Sequence, residues 1–193
     1  MGLSHISTGI MIRAAMRDES EAGDEIRSYV NDGRLVPGRL VRMMAEDAME
    51  QAGVDDFVLD GYPRTLEQAT WLDAFLEERD KSLETVLSLY LPDERIIARL
   101  SRRRVHRETG VNYHLDFNPP PPDVPPDMLL QRTDDRAEAI KKRLDVYRES
   151  TLPLEEYFRA QGKLVRIDAV GTVEDVHELI RSAIARRVVN DEG

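Results

Sequence analysis

Apolar positions come in two rhythms along this chain. Short runs rich in β-branched and aliphatic residues, FVLD at 57–60, VLSLYL at 86–91 and LVRID near 166, are bounded by turn residues or helices and predict buried strands. Between them the spacing lengthens toward the helical period. A helix is predicted through MIRAAM, capped by Ser7 or Thr8, and a second over EAGDEIRSYVND, stopped by Gly33. After Pro37, the segment LVRMMAEDAMEQAG has apolar residues at 40, 41, 44 and 48 and predicts a third. Further helices are expected at 65–78, 93–104, 134–161 with a break near Pro153, and 173–189. Strands alternating with helices imply an α/β fold, a mainly parallel sheet with helices on both faces. FNPPPPDVPPD at 117–127 is the exception: six prolines preclude regular structure and mark a stiff surface excursion in a lobe at about 105–131.

Composition narrows the class. A chain of 193 residues with 41% hydrophobic content buries one main core. No window approaches about 18 uninterrupted apolar residues, and MGLSHISTG lacks a basic start and an apolar signal core, so neither membrane nor secretory routing is expected. Zero cysteines fit a reducing, cytoplasmic setting and exclude thiolate zinc. A net charge of -10 argues against nucleic-acid binding, which rests on cations neutralising phosphates. Of the basic residues, 23 are Arg and 4 are Lys. Genomic base composition accounts for most of that bias, yet arginine's planar fork suits bidentate phosphate contacts.

In open parallel sheets ligands bind beyond the carboxyl ends of the strands, and DGYPR at 60–64 lies just past one such end. Gly61 permits a turn or a close ligand approach, Pro63 stiffens it, and Arg64 arrives at the start of the next helix. Two readings stand at this point: an anion clamp, or an ordinary turn with a solvated arginine.

The wider context favours the clamp. STGIMIR at 7–13, GRLVPGRLV at 33–41, FVLDGYPRTLEQA at 57–69, RRRVHRETGVNYH at 102–114, QRTDD at 131–135 and KKRLDVYRESTLPLEEY at 141–157 occur in this order. Together they resemble the adenylate kinases, nucleoside monophosphate kinases that interconvert ATP plus AMP with two ADP, across about residues 4–189. The resemblance implies a P-loop-kinase-like core at 1–103 and 133–193, with an AMP-binding helical part near 8–37 and an inserted lid at 104–132. It places Thr8, Arg13, Arg34, Leu35, Val36, Gly61, Tyr62, Pro63, Arg64 and Gln68 around AMP, with Arg13 and Arg64 on its phosphate and Gln68 reading adenine. Arg103, Asn112, Tyr113 and Gly171 match ATP contacts. Arg132 and Arg143 match arginines that close on the transferring phosphoryl group, also on the AMP side. Catalysis is thereby assigned to Arg64, Arg103, Arg132 and Arg143. Asp60 matches an acid held near magnesium through water, and the expected cofactor is Mg2+ carried by the nucleotide. The expected setting is nucleotide biosynthesis and homeostasis in the cytoplasm, as a monomer acting on ATP, AMP and ADP.

Family lids often carry four cysteines on zinc. The corresponding places here hold His106, Thr109, Pro122 and Pro125, so no structural zinc is expected. His106 and His114 are read as packing or hydrogen-bonding residues, and Arg102 as a solvated cation at a helix end. Asp134 and Asp135 fit equally a helix cap or a catalytic part.

The family's first strand and Gly-rich phosphate loop have no counterpart, since no GxxxxGK[ST] occurs in the 193 residues. The acid usual after STG is replaced by Ile10. The missing strand lies mid-sheet in the family, so the strands FVLD and VLSLYL are expected to show unpaired inner edges unless they close on each other. Three readings follow. The sequence is the greater part of a longer kinase, or an impaired AMP-binding relative serving as a regulatory or interaction module, or a rebuilt core that transfers phosphate by arginine clamping alone.

Overall fold

The computed structural model describes residues 2–191. Strand β1 (Ser4–Ser7) runs directly into helix α1 (Thr8–Ala15). Helices α2 (Glu21–Asn31) and α3 (Gly38–Ala52) lead to β2 (Phe57–Asp60), which pairs with β1 in parallel, Ser4 opposite Phe57 and Ser7 opposite Asp60. Helix α4 (Leu66–Glu77) precedes β3 (Val86–Tyr90), which pairs in parallel with the late strand β7 (Leu164–Asp168). After α5 (Asp93–Ser101) comes an antiparallel unit with β4 (Arg103–His106) between β5 (Asn112–His114) and β6 (Leu129–Leu130). The chain returns through α6 (Ala137–Val146), α7 (Pro153–Ala160) and β7 to α8 (Val173–Asp191).

Local chemistry explains the boundaries. Ser20 accepts from Gly23 N–H and Thr65 from Gln68 N–H, so each side chain satisfies an orphan donor at the start of its helix. Gly53, at φ +94°, supplies the left-handed residue that ends α3. The break near Pro153 is one π-turn over Tyr147–Thr151, where the Leu152 N–H reaches back to the Tyr147 carbonyl. Pro153 has no N–H to continue the ladder, and the wider turn accommodates this.

On α3 the innermost line is Val41, Ala45 and Met49, with Leu40, Met44 and Ala48 packed beside it. These join Ile6, Ile26, Tyr62, Leu72, Phe75 and Leu76 in the main core. A smaller cluster of Ala69, Leu154 and Phe158 lies between α4 and α7, so α4 contributes to both.

Four expectations change. Ser4–Ser7 is a strand, which the polar residues of SHIS conceal. Ser7 stands at the N-cap of α1 but makes no capping bond; its hydroxyl donates to Asp60 Oδ2 at 2.9 Å instead. Helix α5 ends at Ser101, because Arg103–His106 is taken into the antiparallel unit. Finally, the parallel strands form two separate ribbons rather than one sheet, β2 and β3 remaining unpaired with each other as the missing mid-sheet strand leads one to expect. Within the proline-rich excursion, Pro126–Met128 forms a single 3-10 turn.

Candidate functional site

The carboxyl end of β2 opens into a cleft of about 1820 Å³. Gly61 begins the bend at φ +80°, and a side chain there would meet Thr8 Oγ1 at 2.9 Å and Arg64 Nη2 at 3.1 Å. Glycine is therefore required both by conformation and by the close approach of two polar side chains. The Tyr62–Pro63 peptide is cis. Thr8, buried at the start of α1, donates to the Asp60 carbonyl at 3.2 Å.

Arg64 is fixed by its own backbone and by its neighbours. Its Nε donates to the Gly61 carbonyl at 2.9 Å, and its N–H donates to Gln68 Oε1 at 2.7 Å. Arg64 is exposed at the cleft, yet desolvation by the walls around it, with Arg143 adding like charge, lowers its pKa. Arg13 lies back over Gly9, and burial together with the nearby cations of Arg103 and Arg143 lowers its pKa against the pull of Asp134 and Asp60. Arg132 is pushed down to about 10, first by burial, then by the like charges of Arg103 and Arg13. Arginine does not lose its proton near neutrality, so these three cations stay charged in partly desolvated, like-charged surroundings.

Two carboxylates hold part of this cluster in place. Asp135, with no exposed side-chain surface, accepts from Arg103 Nε at 2.8 Å and Nη2 at 2.5 Å, and lies 3.9 Å from Arg143 Nη1. Asp134 accepts from Arg143 at 3.3 Å through its side chain and 3.2 Å through its carbonyl. Helix α6 has Arg136 at its N-cap with no side-chain bond. The capping reading of Asp134 and Asp135 is thus replaced by an arginine-positioning one. The paired aspartates before a basic helix were the available signal, but Asp135's burial was not legible.

Every residue assigned to AMP lines the cleft: Thr8, Arg13, Arg34, Leu35, Val36, Gly61, Tyr62, Pro63, Arg64, Gln68, Arg132 and Arg143. Arg34 does so with its guanidinium 4.3 Å above the Tyr29 ring and 3.0 Å from Asp32. The ATP assignments are more scattered and do not line it. Arg103 begins β4, Asn112 Oδ1 accepts from Arg132 Nη2 at 2.5 Å, and Tyr113 pairs with Arg104 across β4 and β5. Gly171, at φ +148°, sits beside Asp175 in the turn that starts α8.

Asp60 accepts from Ser7 and lies 3.5 Å from His5 Nε2. No group of three or more metal-ligating side chains occurs among the described residues. His106 Nδ1 accepts from the Glu108 and Thr109 amides, and His114 Nδ1 from those of Asp116 and Phe117, so both histidines fasten turns. Arg102 is not merely solvated: it forks onto Asp116.

Crowded cations predict anion-linked stability. Inorganic phosphate is expected to raise the melting temperature beyond the effect of chloride at matched ionic strength. Stabilisation should reach about 2.7 kcal/mol at a hundredfold excess over Kd, and equal midpoints in the two salts would refute the anion-site reading.

The adenylate kinase family model matches residues 1–163. The chain is 51% identical over 183 residues to an adenylate kinase of Salinibacter ruber, covering 95% of this chain and 86% of that protein. It is 38% identical over 192 residues to one from Streptomyces avermitilis, covering 96% and 87%. For one from Methanosarcina barkeri the identity is 39% over 190 residues, covering 96% and 88%. Among the described residues no helix is long and apolar enough to cross a membrane.

Proposed function

This chain belongs to the adenylate kinase family, and on that premise we propose that it performs reversible phosphoryl transfer, ATP plus AMP to two ADP. The observation that carries the site reading is the gathering of guanidiniums from five segments: α1, the turn after β2, β4, the stretch before Asp134, and α6. Phosphoryl transfer asks a protein for alignment, charge stabilisation and exclusion of water rather than covalent chemistry.

AMP occupies the cleft between α1, the segment 33–36 and the Gly61–Arg64 turn. Arg13 and Arg64 hold its phosphate, one from each side. Gln68 has its oxygen committed to the Arg64 amide, which leaves its NH2 to donate to an acceptor nitrogen of the adenine ring. Arg132 and Arg143 approach the phosphoryl group as it moves, and Arg103, locked by Asp135, carries charge from the ATP side. The antiparallel unit at 104–132 acts as a lid that keeps water from the reacting phosphate. Asn112 and Tyr113 contact ATP from within it, and Gly171 offers its backbone to the adenine of ATP.

The Asp60 carboxylate, at the carboxyl end of β2 and fixed by the Ser7 hydroxyl, is the residue that would face a magnesium ion arriving with the nucleotide. Such an ion would supply neutralisation of the negative charge on the nucleotide's phosphates. The protein works as a monomer in the cytoplasm.

A coupled assay of ADP formation, with titration of AMP by calorimetry, tests this reading. Arg64→Ala is expected to weaken AMP binding at least about tenfold, the loss of one charge-assisted contact, while the denaturation midpoint stays within experimental error. Unchanged AMP affinity would remove the clamp assignment. AMP binding without turnover by the wild-type chain would favour a regulatory AMP-binding module instead.

A further inference from the structure

The π-turn that continues α6 faces the cleft. Arg143, Tyr147 and Thr151, at steps of four residues, all line it. A regular α-helix, with about 3.6 residues per turn, carries such positions progressively around its axis. The wider turn, closed by the Leu152 N–H on the Tyr147 carbonyl at 2.8 Å, rotates less per residue and brings Thr151 back toward the line of Arg143.

Threonines within helices commonly turn their hydroxyl onto their own backbone, as Thr70 does on α4, donating to the Leu66 carbonyl at 3.0 Å. Thr151 does otherwise. Its Oγ1 donates at 2.9 Å to the carbonyl of Arg64, 87 positions earlier in the chain. Arg64 is thereby held at three points: its N–H by Gln68, its Nε by the Gly61 carbonyl, and its own carbonyl by Thr151. The first two anchors belong to the Gly61 turn and to α4. The third comes from the segment that continues the helix of Arg143, the cation that adds like charge beside Arg64.

Taking Arg64 as a ligand of the AMP phosphate, we propose that Thr151 is a positioning residue of that clamp, its hydroxyl on the π-turn fixing the backbone from which the Arg64 guanidinium projects. Two like charges gathered for one phosphate tend to splay apart while the site is empty. A bond from the segment after Arg143 to the backbone of Arg64 sets the spacing of the two elements that carry them. Threonine suits the task because its branched side chain has few χ1 choices, so the hydroxyl is presented with little loss of freedom.

Calorimetric titration of AMP into the wild type, Thr151→Val and Thr151→Ser tests the assignment. The valine variant keeps the branched shape and removes the donor. Its AMP affinity should fall about fivefold, the worth of one neutral hydrogen bond, with KM for AMP rising in step and KM for ATP unmoved. Thr151→Ser retains the hydroxyl and should restore affinity to within about twofold of the wild type. In an Arg64→Ala background the valine substitution should weaken AMP binding no further, because no guanidinium remains to be placed. Equal losses in both backgrounds, or unchanged AMP affinity in Thr151→Val, would overturn the proposal. If the wild type fails to bind AMP, the site reading falls separately. Hydrogen exchange of the Arg64 Nε–H, followed by NMR in the nucleotide-free protein, then decides: faster exchange in Thr151→Val than in the wild type and Thr151→Ser supports the anchoring, and identical exchange rejects it.

Discussion

Asp135→Asn is expected to lower stability by about 3 to 5 kcal/mol, the effect of removing one partner from a desolvated ion pair. The substitution keeps volume and takes away charge. Asp135 has no exposed side-chain surface, it accepts two bonds from Arg103, and Arg143 lies within 3.9 Å. Without it two guanidiniums face each other across a half-buried space already crowded by Arg13 and Arg132. Urea denaturation measures the loss as a lower midpoint at unchanged m-value. A shift below about 1 kcal/mol would mean that the pair is solvated in solution, and the fixed geometry of Arg103 would lose its support.

Arg132→Ala should behave in the opposite way. Arg132 bonds a neutral amide, Asn112, rather than a carboxylate, and the depression of its pKa to about 10 reports burial among like charges. Its positive charge is therefore expected to cost stability in the empty protein and to be offset by a bound phosphate. In an active protein its removal should reduce kcat by about 10³ to 10⁵-fold, the scale of one arginine acting on a transferring phosphoryl group. Folding stability should stay level or rise, as happens where function holds residues in unfavourable company. The sign with pH is consistent: a cation whose folded pKa is depressed destabilises the fold below that pKa, and the penalty is relieved only as pH rises through about 10. Loss of stability and rate together in Arg132→Ala would show that the residue is structural.

Much of this was legible in the sequence because it was local. The helices over Glu21–Asn31 and Leu66–Glu77 and the strands FVLD, VLSLY and LVRID follow from local apolar spacing and from short β-branched runs. The gathering of the arginines was legible only by resemblance, since nothing in the spacing of residues 13, 64, 103, 132 and 143 brings them together. What escaped is long-range. SHIS becomes a strand because β2 offers hydrogen bonds 53 residues away, which outweighs its weak β-propensity. RRVH becomes a strand because two later segments pair with it. Asp135 resembles any residue before a helix until its partner 32 positions earlier is in place. The unpaired inner edges of β2 and β3 were legible only by resemblance, from the strand that lies between them in the family.

That separation bears on how the protein comes apart. The ribbon β1 and β2 shares the large core with α1 to α4, while β3 and β7 rest on α7 and α8 with a much smaller one. Helix α4 contributes Leu72, Phe75 and Leu76 to the first cluster and Ala69 to the second, and so couples the two halves. The half built on β3 and β7 is therefore expected to open first, and amide exchange no faster on β3 and β7 than on β1 and β2 would refute this.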